Sequence, residues 1–168
     1  IDGRLDESSR QDLNKDIQNR KLVWNAPEAG WMVVVVTSQP HDLDYLNRKV
    51  TDRWIEVLLG VVEEKLYNFL GNTLKAYGTD ELIVINGNIL FSESLLERFK
   101  KEKGYDPSPY LVGLFHDIGE MTDKIRCDYY DVMVTMLEEN LYKRFAEWLH
   151  KRGMIYTEFC PNGKWMDI

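Results

Sequence analysis

Four carboxylates stand where predicted strands give way to turns: Asp42, Asp44, Glu93 and Glu158. In α/β proteins ligands sit at the carboxyl ends of strands, so these are the acids to weigh for general acid–base hydrolysis. Glu158, late in the run 154–159, is the candidate catalytic residue. It also reads as an ordinary strand-end carboxylate in solvent. Asp44 precedes a helical pattern and reads as an N-cap. Glu93 falls in the first turn of another helix, where an acid complements the dipole. At the remaining corner Asn86-Gly87-Asn88 follows the apolar run Leu82–Ile85. An amide can hydrogen-bond a hydroxyl but cannot transfer a proton near neutral pH. Asn86 and Asn88 are therefore candidate substrate-binding residues rather than catalytic ones.

Other reactive side chains have local explanations. His116 and Asp117 are adjacent, and adjacent residues seldom face one another, so a structural loop histidine is expected there, and His41 beside Pro40 reads the same way. Arg126 and Tyr130 share a helix face, which points to packing or ion pairing. Trp31, Trp54 and Trp148 lie within apolar patterns and are expected in the core; Trp24 and Trp165 are less constrained. Cys127 and Cys160 have no metal-ligand spacing. A helix from 127 to 152 carries Cys127 about 39 Å away, whereas a strand over 154–160 returns about 23 Å. Buried free thiols are expected. No metal site is expected from this segment, and no nucleotide-binding or zinc-peptidase motif occurs.

These side chains need a scaffold, and 168 residues with 44% hydrophobic content can build one. The net charge of −7 argues against a nucleic-acid partner. The basic cluster 98–103 ends a helix, where cations suit the dipole. No stretch approaches the roughly 20 apolar residues that span a membrane, and no secretory leader is visible. The first residue is Ile1, which suggests a piece of a longer chain.

Residues 1–20 mix charges without periodicity and read as a poorly ordered lead-in. The runs 21–24 and 31–37, separated by a Pro/Gly turn, predict a short β-hairpin whose second strand is buried. Leu46, Val50, Trp54, Leu58, Val61/Val62, Leu66 and Phe69/Leu70 predict a seven-turn amphipathic helix that stops at Gly71-Asn72. Leu82–Ile85 predicts a buried strand. Ser92 caps the next helix, Leu95, Leu96 and Phe99 face the core, and Gly104 ends it. A structured loop over 105–120 leads to a long helix, about 122–152, with Ile125, Tyr129, Val132/Met133, Met136/Leu137, Leu141, Phe145 and Trp148/Leu149 inward. Gly153 stops it, and 154–159 returns as a strand. Strands separated by helices give a parallel sheet. The chain stops just after a strand with no helix to cover it, as part of a barrel would.

Several phrases together resemble one family. "LVWNAPEAGWMVVVV" resembles the closing strands of a β-domain in large bacterial glycoside hydrolases, and "DYLN" at 44–47 looks like the start of their catalytic barrel. "LLERFKKEKGYDPSPYLVGLF" and "IRCDYYDVMVTMLEENLYKRFAEWLHKRGM" resemble the segments that follow. The family is the α-L-rhamnosidase type, glycoside hydrolase family 106 and relatives, over about residues 20–158. The resemblance implies an α/β fold, a partial (β/α)8 TIM-barrel segment, with 1–40 the lead-in and end of a β-domain and 41–168 the first part of the barrel. It implies hydrolysis of rhamnosides or similar plant-cell-wall sugars by inversion with two carboxyl groups, helped by calcium in the parent, and a periplasmic or secreted location. The expected partners are an oligosaccharide or glycoside and the remaining domains of the parent, with no nucleic acid and no membrane. Relatives end the relevant strand in an Asp-Glu pair; aligned from Gly78-Thr79, that pair falls on Gly87 and Asn88. The segment alone is thus expected to be inactive. Trp165, in a terminal Asn-Gly-Lys-Trp, is expected on the barrel rim, where flat sugar faces stack. Two other readings stay open: a non-catalytic carbohydrate-binding relative that has lost the strand-end acids, and a helix-rich interaction module.

Overall fold

The structure is a computed structural model and describes residues 5–38, 43–80, 89–160 and 164–167. The chain forms a mixed helix–strand fold with two small sheets. The first sheet is a hairpin, β1 (Ile17–Gln18) against β2 (Lys21–Leu22). Asn19 and Arg20 between them both have positive φ, 50° and 61°, the twist that lets a two-residue turn close a hairpin. The hairpin therefore lies partly inside the stretch expected to be unordered. The expected partner strand at 31–37 does not form: residues 31–38 are irregular, and Met32 to Val36 are exposed. A β-branched run has strand propensity, but propensity without a neighbouring strand yields no ladder.

After Asn47 comes a continuous helical rod: α1 (Arg48–Trp54), a π-helical turn (Ile55–Leu59), α2 (Gly60–Leu66) and a 3-10 turn (Tyr67–Phe69). The predicted apolar stripe needs correction. Leu46, Thr51, Ile55 and Leu59 are buried, whereas Leu58, Val61, Leu66 and Phe69 are exposed. A π turn takes more residues per turn than an α turn, so a stripe counted at three and four slips off the core face around it. Gly71, with φ +75°, ends the rod as expected.

The second sheet has the order β3 (Ala76–Asp80), β4 (Ile155–Cys160), β5 (Lys164–Asp167). β3 and β4 are parallel, with Tyr77 opposite Tyr156 and Thr79 opposite Glu158. β4 and β5 are antiparallel, which adds a strand after the last one that the sequence predicts. The predicted strand 82–85 lies outside the described residues. Between β3 and β4 the chain builds α3 (Glu93–Lys103), a 3-10 segment (Ser108–Leu114), α4 (Met121–Leu137), a second π turn (Glu138–Tyr142) and α5 (Lys143–His150). α3 stops as predicted at left-handed Gly104.

The core sits between the α4–α5 rod, α3, the first rod and one face of the sheet. The predicted inward stripe of α4–α5 is buried throughout, from Ile125 to Leu149, with Trp148 half-buried at its margin. Phe145 stacks on Tyr156 and Tyr77 at 5.5 and 6.1 Å and meets Trp54 edge-on at 5.1 Å. Each such ring, fully buried, contributes about 1.5–3 kcal/mol. The sheet is covered on that face, while Ile155 on the other is 44% exposed.

Candidate functional site

Length places a helical lobe beyond the carboxyl edge of the sheet. β4 runs back along α5, with Tyr156 against Phe145 and Tyr142, and its six residues climb about 20 Å. From His150 back to Leu137 the helix rises about the same distance. All of α4 therefore lies past the strand ends. α3 runs antiparallel beside it: Arg98 binds Glu139 through 2.6 Å and 3.2 Å hydrogen bonds, and further along Lys103 pairs with Asp131. The basic cluster 98–103 is thus paired rather than merely solvated, with Lys100 also 3.0 Å from Asp106.

At the strand end, Glu158 is a buried carboxylate, 8% exposed. It faces the helices, not the uncovered side of the sheet, and the Tyr142 hydroxyl donates to its Oε1 at 3.3 Å. Beside it the hydroxyls of Thr79 and Tyr156 share a 2.6 Å hydrogen bond. Burial pushes the Tyr156 phenol up to about 12, against the lowering effect of Thr79. Burial likewise raises Tyr77. The group is a buried hydroxyl–carboxylate cluster clamped between β3, β4 and the second π turn.

Asp44 is not the cap of α1. Asn47 is, its side chain accepting from the Lys49 N–H at 3.1 Å. Asp44 instead accepts from the Leu46 N–H through Oδ1 and from the Ser92 hydroxyl through Oδ2, at 3.1 and 2.8 Å. It thereby ties the segment before α1 to the start of α3, and Ser92 makes this bond in place of a cap bond within α3. The Tyr129 hydroxyl donates to the Leu90 carbonyl at 2.9 Å and holds the same corner from α4; burial raises its pKa. Glu93 is exposed in the first turn of α3.

The other candidates separate. Asn86, Asn88, His41 and Asp42 lie outside the described residues. The backbone of Trp165 belongs to β5, opposite Phe159. His116 is exposed and Asp117 accepts from Gly119 N–H and from the Thr122 hydroxyl, so the pair serves the turn into α4. Arg126 donates to the carbonyls of Gly113 and His116 and braces that loop. Cys127 is exposed, contrary to the buried thiol expected, because its position falls opposite the Ile125–Tyr129 stripe. Trp31 packs against Trp24 at 5.5 Å, away from the main core. Among the described residues no three His, Cys, Asp or Glu side chains gather to hold a metal.

Tyr142 and Thr79 escaped the sequence reading. β3 reads Ala-Tyr-Gly-Thr-Asp, without a β-branched run, and the more apolar 82–85 drew the strand assignment. The alternation of Tyr77 and Thr79 was the available signal.

Comparisons with known proteins agree with this architecture. The family model described as alpha-L-rhamnosidase matches residues 9–166. A Formosa agariphila protein whose name refers to a beta-glucuronidase is 21% identical over 81% of this chain and 13% of its own length. The solved rhamnosidase of Novosphingobium sp. PP1Y superposes with a TM-score of 0.56 at 19% identity, over 91% of this chain and 17% of that one. The chain thus spans less than a fifth of the length of either relative. With the family model covering nearly every residue, the chain belongs to the alpha-L-rhamnosidase family, glycoside hydrolase family 106.

Proposed function

We propose that this chain is a segment of a glycoside hydrolase that acts on rhamnosides or similar plant-cell-wall sugars, and that the segment is inactive alone. The observation that carries the reading is the family match over residues 9–166, joined to a length of only 17% of the solved rhamnosidase. The parallel β3–β4 pair, covered on one face and open on the other, suits the first part of a (β/α)8 barrel whose other strands belong to the parent. Residues 1–40 are then the lead-in and the end of a preceding β-domain, and 41–168 begin the barrel. Inverting hydrolysis needs two carboxyl groups roughly 6.5–9.5 Å apart, and Glu158 is the buried acid that this segment brings near a strand end.

In this reading the main acid and base come from strands outside the segment. Asn86, Asn88 and Trp165 contact the sugar as hydrogen-bonding amides and a stacking ring, and Glu158, held by Tyr142, is the segment's own contribution at the strand end. Its helix-facing position suits holding that corner in shape more than attacking a substrate. Assays of the segment and of the full parent on aryl α-L-rhamnosides test the proposal: turnover by the parent alone is expected, and turnover by the segment overturns it. Glu158→Gln in the parent, which keeps an acceptor for Tyr142, separates the two roles of Glu158. A proton-transfer residue loses at least 100-fold in kcat, a positioning residue far less.

Asn86, Gly87 and Asn88, with the relatives' acidic pair falling by resemblance on Gly87 and Asn88, favour a second reading, a carbohydrate-binding relative without turnover. Titration calorimetry of the parent with rhamnose-containing oligosaccharides would then show binding without hydrolysis.

A further inference from the structure

The second π turn, Glu138–Tyr142, sends side chains to four parts of the fold. Leu141 is fully buried in the core. On either side of it, Glu139 accepts from Arg98 of α3, the Asn140 amide donates at 2.8 Å to the Leu46 carbonyl just before α1, and the Tyr142 hydroxyl donates to Glu158 of β4. The series continues from Leu46. The Leu46 N–H and the Ser92 hydroxyl donate to the two oxygens of the Asp44 carboxylate. Ser92 closes the connection that leaves the carboxyl end of β3, and the Tyr129 hydroxyl holds that connection from α4 through the Leu90 carbonyl. Because β3 and β4 are parallel, this connection and the end of β4 leave from the same edge of the sheet. Hydrogen bonds and one helical turn thus link the two corners in the order Ser92, Asp44, Leu46, Asn140, Tyr142, Glu158. Leu46 and Ser92 are 1% and 5% exposed, and a polar group that loses its partner in so dry a place stays unpaired, which keeps the bonds closed. Turns of this wider pitch occur frequently at functional sites.

We propose that Asn140 is a positioning residue of the sugar site. It ties the chain before α1, and through Asp44 the connection after β3, to the turn that aims Tyr142 at Glu158. One turn therefore sets both corners of the strand-end edge, and a displacement at either is felt at the other. Only a donor serves at 140, because an aspartate of the same size would face the Leu46 carbonyl with acceptors alone. The proposal rests on the glycosidase reading and deepens it: a scaffold residue that never touches the sugar changes the rate by shifting the groups that do.

The test uses the full parent chain and amide hydrogen exchange read by peptide mass spectrometry. Ser92→Ala and Tyr142→Phe each remove a single hydroxyl, one at either corner. Ser92→Ala is expected to speed exchange about fivefold over 155–160 as well as over 89–95, and Tyr142→Phe to do the same in the other direction, since coupling is reciprocal. Asn140→Ala is expected to cut the link: exchange rises at both corners, and Ser92→Ala added to it no longer changes 155–160. Thr135→Ala, which removes an exposed hydroxyl bond to the Asp131 carbonyl on α4, is expected to move neither. In an active parent Asn140→Ala should lower kcat on an aryl α-L-rhamnoside about tenfold, with KM unchanged within about twofold. Exchange changes confined to the altered corner overturn the proposal. So does a rise that extends to 121–126 at the far end of α4, which is general loosening. An unchanged kcat in Asn140→Ala, or a loss carried by KM alone, overturns it as well. If the parent hydrolyses no rhamnoside, the proposed activity fails separately, and exchange alone decides the link: reciprocal changes support it, and confined ones overturn it.

Discussion

Gly71 offers a direct test of how the parallel pair is set. It has φ +75°, and a Cβ built there would lie 2.4 Å from the Arg152 carbonyl oxygen. Both partners are backbone, so neither can swing away. The contact joins the turn before β3 to the turn before β4, where the Ile155 N–H donates to the Lys75 carbonyl at 2.9 Å and starts the ladder. Gly104 is the control, at φ +78° with nothing within 4 Å of its added Cβ. Alanine at either position incurs the left-handed backbone cost of about 1–2 kcal/mol. Gly71→Ala adds a displacement of nearly an ångström between two chains, and overpacking of that kind costs about 1–3 kcal/mol more. Urea unfolding should therefore place Gly71→Ala about 1–3 kcal/mol below Gly104→Ala at equal m-value. Amide exchange at Ile155 should accelerate in the first variant alone. Losses that agree within about 0.5 kcal/mol would refute the reasoning, because the close approach would then contribute nothing beyond φ.

Three further outcomes are expected. Tyr156 has a folded pKa raised to about 12 above an ordinary value of 10.0, so its contribution is complete below pH 10 and is lost as pH rises from 10 through 12, to the extent of about 2–3 kcal/mol; Tyr156→Phe should flatten that part of the stability profile measured by alkaline urea titration. The Thr51 hydroxyl is buried without a hydrogen-bond partner among the described residues, so Thr51→Val should raise stability by up to about 1 kcal/mol, and a loss of that size in thermal melts would mean that the hydroxyl is satisfied. Gly113→Ala would bring a Cβ within 2.8 Å of the Ile125 Cγ2 and 2.9 Å of the Ile118 Cδ1; both belong to buried β-branched side chains that are stiff at χ1, so the variant should lose about 1–3 kcal/mol in the same melts.

The legible parts of this fold are those where one local pattern has one structural meaning. The α4–α5 stripe keeps its spacing from Ile125 to Leu149, and every position expected inside, Trp148 at the margin excepted, is inside. Gly71, Gly104 and Gly153 end their helices with positive φ, as a residue without Cβ allows. The first rod was misread by the same arithmetic, because nothing local in Ile-Glu-Val-Leu-Leu announces a π turn, and one turn of altered pitch moves Leu58 and Val61 from core to surface. Strands were harder still. "WMVVVV" has the stronger propensity and forms no ladder, while Ala-Tyr-Gly-Thr-Asp forms one because β4 lies beside it. Strand identity belongs to the pair and not to the single run.

The same distinction explains the site. Residue types named Glu158 and Asp44 from their place after expected strands; Glu158 is buried near the end of β4, whereas the strand expected before Asp44 does not form and Asp44 instead bridges to Ser92. Their partners were hidden because each comes from an element far away in sequence: Tyr142 reaches Glu158 only because β4 doubles back on α5, and Ser92 reaches Asp44 across the whole first rod and β3. A carboxylate's chemistry is decided by such partners. Glu158 is not an open strand-end acid: it is buried and accepts the hydroxyl of half-buried Tyr142.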